Sequence, residues 1–311
     1  MTTGNAPASA HADRMVALRD RIVAASTAIA RQVELGSGHR LQVIEAGSGA
    51  EVLFLHGSGT SSLSLLPLIE RLDGVHAIAL DRPGFGLSDA VPVPRKRFRQ
   101  AAVDLLDEVL DALRVERPTL AGQSMGGTWA LWYGLARPER VGRIALLGSS
   151  PLLPGTRPPA PLRAMATPVV GDLLARMTKP DARMVVRLMS SMGEKDTIVR
   201  YPNLIEAQVA TAADPIAVAA NLAELQAVLT PFGFRRSVRM TPDELRRLRA
   251  PTLLIWGDRD PVGAVEAARA AAELIPDARL EILPGGHVPQ LGNPERVSEL
   301  LSEFANSRSD R

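Results

Sequence analysis

The sequence predicts an α/β architecture: a mostly parallel sheet with helices on both faces, interrupted by a helical block. Three observations carry this. Short, almost wholly apolar runs such as Val52-Leu53-Phe54-Leu55 and Leu253-Leu254-Ile255-Trp256 read as strands buried on both faces, as central parallel strands are. Segments of helical pattern separate them, and strands that alternate with helices need crossover connections and therefore parallel pairing. From Pro151 to Arg249 the alternation stops. A chain of 311 residues with 46% hydrophobic content holds one large domain with an inserted subdomain, or two small domains.

Taken in order, residues 1–13 are small and polar and are expected to be disordered. Met15, Leu18, Ile22 and Ile29 recur at helical spacing, which predicts an amphipathic helix from Met15 to Gln32 docked on the domain. Leu41 to Ala46 reads as a strand, Gly47-Ser48-Gly49 as a turn, and Val52 to Leu55 as a central strand ending in His56-Gly57-Ser58-Gly59. A helix over Leu63 to Leu72 and a strand over Val75 to Leu80 follow. Asp81 to Asp89 is a glycine-punctuated loop read as structural, and Arg95 to Arg99 a solvated basic patch at a helix start. Ala101 to Leu113 is helical, Thr119 to Ala121 a short strand, Met125 to Leu135 a helix apolar almost all round, and Ile144 to Leu147 another strand. The helical block opens with five prolines between Pro151 and Pro161 and is broken again at Pro180, Pro202, Pro215 and Pro231. The rhythm resumes with strands over Thr252 to Trp256 and Arg279 to Leu283 and helices over Val262 to Ile275 and Pro294 to Phe304. The expected organisation is an N-terminal extension over 1–36, a core over 37–150 and 250–311, and a helical cap over 151–249.

Composition excludes several function classes. A net charge of +2, and basic runs without interleaved aromatics, give no footprint for nucleic acid. With no cysteine there are no disulfides, thiolate nucleophiles or cysteine metal sites. Arg19, Asp20 and Arg21 interrupt the only candidate signal segment, and no apolar run approaches the roughly 18 residues of a membrane span. The expectation is a cytoplasmic protein without stable membrane association. Phosphate cradles, nicotinamide fingerprints and metal-ligand clusters do not occur in the sequence, so no cofactor and no metal are expected.

The chemistry concentrates at Gly122-Gln123-Ser124-Met125-Gly126, a GxSxG turn with a strand before it and a helix after. Side chains two residues either side of the serine would collide where strand and helix approach, and the helix behind Ser124 points its positive end at the reacting centre. A serine hydroxyl needs an imidazole to take its proton, and the imidazole a carboxylate to hold its tautomer. Of five histidines, His11 falls in the N-terminus, His39 in a turn, His76 in an inner strand and His56 in a structural loop. His287 remains, on a glycine loop at the exit of the last strand. For the acid, Asp258 and Asp260 both follow the preceding strand, at the carboxyl edge where functional groups of open α/β sheets gather.

From about residue 40 to 305 the chain resembles the α/β-hydrolase superfamily, whose triad order is Ser, Asp, His. The resemblance places the family's GxxD pattern on Gly257 to Asp260 and so selects Asp260, leaving Asp258 to brace the loop. The family's HGxG loop falls on His56 to Gly59, which implies an oxyanion hole from the backbone N–H groups of Ser58 and Met125. The fold implied is the α/β-hydrolase fold, and the chemistry acyl transfer to Ser124 with His287 as base. Serine at the apex argues against the haloalkane dehalogenase and epoxide hydrolase relatives, which use aspartate.

Hydrolysis of a carboxylic ester of a small, largely apolar molecule is the default expectation. The rival is carbon–carbon bond hydrolysis of vinylogous diketones, because those enzymes also show HGSG and SMGG; against it, they commonly carry an aromatic after the catalytic histidine, and here Val288 follows His287. A third class is a non-catalytic receptor of the same fold. The expected partner is a small-molecule substrate, with the N-terminal helix and the cap as the surfaces for any oligomer. Within the cap, Met165, Met177, Met184, Met189, Met192 and Met240 suggest an adaptable apolar pocket, and 14 Lys or Arg against 9 Asp or Glu weakly favour an anionic substrate. The cap is expected to set substrate choice as a mobile lid and to take no part in bond chemistry.

Overall fold

The computed structural model describes residues 6–92 and 94–307, with side chains from residue 12 onward. Eight strands form one sheet: β1 (Ile29–Glu34), β2 (Arg40–Gly47), β3 (Ala50–Leu55), β4 (Val75–Leu80), β5 (Thr119–Gln123), β6 (Arg143–Leu147), β9 (Thr252–Gly257) and β10 (Ala278–Leu283), with β7 (Leu229–Thr230) and β8 (Gly233–Phe234) in a separate ribbon. Their order is β1-β2-β4-β3-β5-β6-β9-β10. From β4 to β10 every pairing is parallel, while β2 runs antiparallel to both β1 and β4. Chain direction along the sheet reverses at β3, where crossovers leave to opposite sides, so the carboxyl ends of β3 and β5 border the crevice in which such sheets carry their sites.

Alternation within each strand builds the two core layers. Leu53 and Leu55 face one side with Leu120, Leu146, Leu254 and Trp256, against helices α3 (Phe98–Leu113), α4 (Met125–Ala136) and α12 (Val265–Leu274). Val52 and Phe54 face the other with Ala121, Leu147, Leu253 and Ile255, against α1 (Ala6–Ala24), α2 (Leu66–Ile69) and α14 (Pro294–Asn306). Helix α4 follows Ser124 and is buried on nearly all sides, as its unbroken apolar sequence requires.

Between β6 and β9 lie α5 (Ala160–Ala166), α6 (Val170–Met177), α7 (Ala182–Ser191), α8 (Lys195–Ile198), α9 (Pro202–Ala213), α10 (Pro215–Val228) and α11 (Pro242–Arg246); α13 (Pro289–Gly292) follows β10. The prolines segment the block as expected. Pro180 separates α6 from α7, Pro202 and Pro215 open α9 and α10, where a missing N–H costs nothing, and Pro231 turns β7 into β8. That ribbon was not expected, because two residues per strand are too few to show a period. Val185, Met189, Ile198 and Leu204 form the block's own apolar cluster with Leu291 of α13, whereas Val238, Met240, Leu245 and Leu248 pack into the main core.

Two expectations for the N-terminus fail. The helix starts at Ala6, so residues 6–13 are not loose; residues 1–5 and the side chain of His11 lie outside the described residues. It also stops at Ala24 rather than running to Gln32. The Ser26 hydroxyl donates to Val23 O and its oxygen accepts from Ala28 N–H, a local alternative to helical bonding. Ile29 then opens edge strand β1 and is exposed, while Met15, Leu18 and Ile22 are buried in the second core layer. Among the described residues no helix is long and apolar enough to cross a membrane.

This packing separates two isoleucines that the sequence pattern treats alike. Ile22→Ala is expected to lower the free energy of unfolding by about 2–5 kcal/mol, and Ile29→Ala by about 0.5 kcal/mol or less. Urea unfolding of both variants measures the difference.

Candidate active site

Ser124 sits between β5 and α4 with φ 53° and ψ −115°, a conformation costly for a residue with a Cβ. The turn tolerates it because its flanks are bare. A Cβ on Gly122 would lie 2.3 Å from the Gly127 nitrogen, and one on Gly126 would lie 2.0 Å from Leu55 O. The collision expected from the sequence is therefore real on both sides, and the strain lifts the Ser124 hydroxyl out of the sheet edge.

His287 leaves β10 on the Pro284-Gly285-Gly286 loop and brings Nε2 to 2.9 Å from Ser124 Oγ. Its Nδ1 lies 2.9 Å from Asp260 Oδ2 and 3.1 Å from Oδ1. With Nδ1–H donating to the carboxylate, Nε2 presents its lone pair to the serine, the state needed to accept that proton. Asp260 also accepts from Ser149 N–H and Val262 N–H, each at 2.9 Å. Burial pushes its pKa up, but the adjacent His287, with its charge and hydrogen bond, and the two N–H donors outweigh this and hold it below the usual carboxylate value. Asp258 accepts from Gly285 N–H at 2.9 Å and does not reach His287, in line with a bracing role. Of the four acids and histidines in question, the structure thus joins Asp260 and His287 to Ser124 and leaves Asp258 and His56 outside the line.

Among the described residues the N–H groups of Ser58 and Met125 have no acceptor, and both belong to the segments that border Ser124. His56 fixes the Ser58 loop from below. It donates from Nδ1 to Gly57 O at 2.7 Å and accepts at Nε2 from Arg82 N–H at 2.9 Å, which confirms a structural place for it. Complete burial, helped by the positive charge of Arg82 and opposed by the Gly57 bond, holds its pKa well below 6.5, so it is neutral. Arg82 is itself buried, with its guanidinium 5.2 Å and 5.0 Å from the Phe85 and Trp129 ring centres.

Two further groups come from the helical block. Glu224 on α10 pairs with Arg82 through both oxygens and accepts from the Ser58 hydroxyl. Glu194, just before α8, accepts from Gly286 N–H and Val288 N–H, either side of His287. Sequence reasoning missed both, along with Arg82 and with Ser149, whose Oγ lies 3.2 Å from His287 Nδ1. For Glu224 there was a signal: one acid in the otherwise uncharged helix Pro215–Val228 has to be paired if buried. Nothing marks Glu194 in Gly193-Glu194-Lys195-Asp196. The methionines do not converge on one pocket, since Met189 and Met240 fill separate cores and Met177 is 72% exposed. Arg95 and Arg99 of the basic patch bond Gln226 and Glu244 of the block.

The arrangement can attack a carbonyl with an activated serine. The chain belongs to the Alpha/beta hydrolase family, whose model matches residues 52–300. It is 27% identical over 295 residues to a 2-hydroxy-6-oxononadienedioate/2-hydroxy-6-oxononatrienedioate hydrolase of Paraburkholderia phymatum, covering 90% of this chain and 96% of that one. Among solved structures it is similar to a serine hydrolase involved in carbazole degradation, with TM-score 0.74 and 24% identity over 90% of this chain and all (100%) of that one. It is also similar to carboxylesterase CesB of Bacillus subtilis, with TM-score 0.72 and 21% identity over 96% of this chain and 99% of that one. The protein is a hydrolase of this family.

Removing one partner of the buried ion pair strands the other. Glu224→Ala should therefore destabilise the fold by about 3–5 kcal/mol, measured by urea unfolding. His56 makes one contribution to the pH dependence of stability. Its folded pKa lies below the unfolded value of 6.5, so the unfolded chain binds a proton first as pH falls. The contribution of His56 is full above that value and is lost below it, with a slope of up to about 1.4 kcal/mol per pH unit. In His56→Gln this component is absent, and unfolding free energies at descending pH should fall less steeply than in the wild type.

Proposed function

We propose that the protein is a serine hydrolase that cleaves the carbon–carbon bond beside the ketone of a 2-hydroxy-6-oxo-dienoate, a vinylogous diketone. The observation that carries this reading is the continuous hydrogen-bonded line from Asp260 through His287 to Ser124. A near full-length relative named for this reaction supports it, and so does the cap's surplus of basic residues, which suits a substrate bearing carboxylates. Ser124 Oγ bonds to the ketone carbon, and its proton passes to His287. The N–H groups of Ser58 and Met125 hold the oxyanion. In the substrate's diketo form, the electron pair of the breaking bond is delocalised along the conjugated chain onto the distant carbonyl oxygen, and His287 returns its proton there. Water, deprotonated by His287, then releases the acyl group from Ser124 as a carboxylic acid. One water is consumed per bond cleaved.

Ester hydrolysis, the default of the sequence, becomes the second reading. Val288 favours it, standing after His287 where carbon–carbon hydrolases commonly have an aromatic. In either case the helical block selects the substrate.

A 2-hydroxy-6-oxo-dienoate and p-nitrophenyl acetate offered side by side separate the readings, followed by loss of dienolate absorbance and by nitrophenolate release. Faster turnover of the diketone, lost by several powers of ten in Ser124→Ala, His287→Ala and Asp260→Asn with little additivity, is the expected result. Ester turnover alone moves the assignment to an esterase. No turnover of either, with tight binding of the diketone, assigns a receptor.

A further inference from the structure

We infer that Glu194, a residue of the helical block, is a positioning residue for His287, setting the imidazole's place through the backbone N–H groups of the residues before and after it, Gly286 and Val288; the inference rests on the catalytic role proposed for His287. The loop that carries His287 is conformationally permissive. Gly285 has φ 139°, and its neighbour Gly286 lacks a Cβ that would lie 2.1 Å from Met192 O. A loop of this kind does not fix a ring by its own torsional preferences. External acceptors fix it instead, one for each N–H in turn: Gly285 N–H donates to Asp258 Oδ1 at 2.9 Å, Gly286 N–H to Glu194 Oε1 at 2.9 Å, His287 N–H to Met192 O at 2.9 Å and Val288 N–H to Glu194 Oε1 at 3.1 Å. Three of the four come from the helical block.

Glu194 is 1% exposed and, among the described residues, has no cationic partner. Among the described residues its Oε2 has no hydrogen-bond donor. A buried carboxylate in that condition is expensive, and the backbone N–H groups of Gly286 and Val288 are the donors to it that offset its burial. From the other side, Gln123 Nε2 donates to His287 O at 3.2 Å, so the residue before the nucleophile and a residue of the block grip one peptide unit between them. With its backbone held on both sides, the imidazole reaches Ser124 Oγ and Asp260 in one orientation, and a loss of the Glu194 acceptor releases that orientation without touching substrate.

The test uses the full chain with Glu194→Ala, Glu194→Asp and Glu194→Gln, assayed on the diketone and on p-nitrophenyl acetate. Alanine removes the acceptor, aspartate withdraws it by one methylene, and glutamine keeps an oxygen where Oε1 stands. Alanine and aspartate should lower kcat about 10- to 100-fold with KM little changed, and glutamine should restore most of the loss. The downfield proton resonance of the His287 Nδ1–H to Asp260 bond reports geometry independently of turnover. It should broaden or vanish in the alanine and aspartate variants and persist in glutamine. A folded alanine or aspartate variant with wild-type kcat and an intact resonance overturns the inference, as does a glutamine variant as damaged as alanine. If alanine does not fold, aspartate and the resonance decide. His287→Ala as active as the wild type would instead remove the catalytic reading, and the resonance would still decide whether Glu194 places the ring.

Discussion

Helix α4 can approach the end of β3 as closely as it does because Gly126 has no side chain: a Cβ there would sit 2.0 Å from Leu55 O and 2.8 Å from His56 O. That single approach governs the geometry around Ser124. It brings the first turn of α4, with its unpaired N–H groups, beside the His56 to Gly59 loop, and it forces Ser124 into its strained turn. The two N–H groups proposed as an oxyanion hole come from these two segments, so their spacing is fixed by a backbone contact rather than by flexible side chains. His56 then serves the same contact from below, tying the Ser58 loop to Arg82 while staying neutral in a fully buried place.

Two buried aspartates at strand ends show how the balance of burial and partners decides a charge. Asp81 accepts from Ser62 N–H at 2.7 Å and Leu87 N–H at 3.0 Å, much as Asp260 accepts from Ser149 and Val262. Desolvation nonetheless wins at Asp81 and raises its pKa, because Arg19 is the cation that acts on it and acts weakly. At Asp260 an imidazole in direct contact reverses the outcome. The helical block adds two more buried carboxylates, each compensated differently: Glu224 by a guanidinium, Glu194 by peptide N–H groups. Both compensations run to loops beside Ser124 and His287. The block is thus bonded into the site rather than laid over it, which narrows the independence the sequence assigned to it.

What the sequence made legible was whatever had a period or a motif. The apolar runs Val52 to Leu55 and Leu253 to Trp256 are central strands, and GxSxG, HGxG and GxxD mark the segments that the fold brings to one edge. The choice of Asp260 over Asp258 needed the family pattern, since both follow β9, and the geometry agrees with it. Edge strand β1 was misread because Ile29 falls by chance on the helical register of Met15, Leu18 and Ile22, and the Ser26 side chain that ends the helix leaves no glycine or proline as a marker. Arg82, Ser149 and Glu194 were invisible for a different reason. Each acts across roughly a hundred residues or more of chain through a partner that only tertiary packing supplies.

The placement of the helical block between β6 and β9 has a consequence for how the molecule assembles. These strands are neighbours in the sheet, yet joining them closes a loop of about a hundred residues, at a cost that grows only by about 0.6 kcal/mol for each doubling of length. The equilibrium penalty for carrying so long an interruption is therefore small, but the search for that pairing is slow, because contacts distant in sequence reward the chain only once the loop has closed. Within the block, contacts between sequential helices such as α5 with α6, α7 with α8 and α9 with α10 are local and are available early. Glu194 and Glu224 take their partners from outside the block, so each carboxylate keeps its water until the block meets the rest of the fold. The desolvation of both carboxylates is thus tied to the docking of the block on the loops that carry Ser58, Arg82 and Gly286.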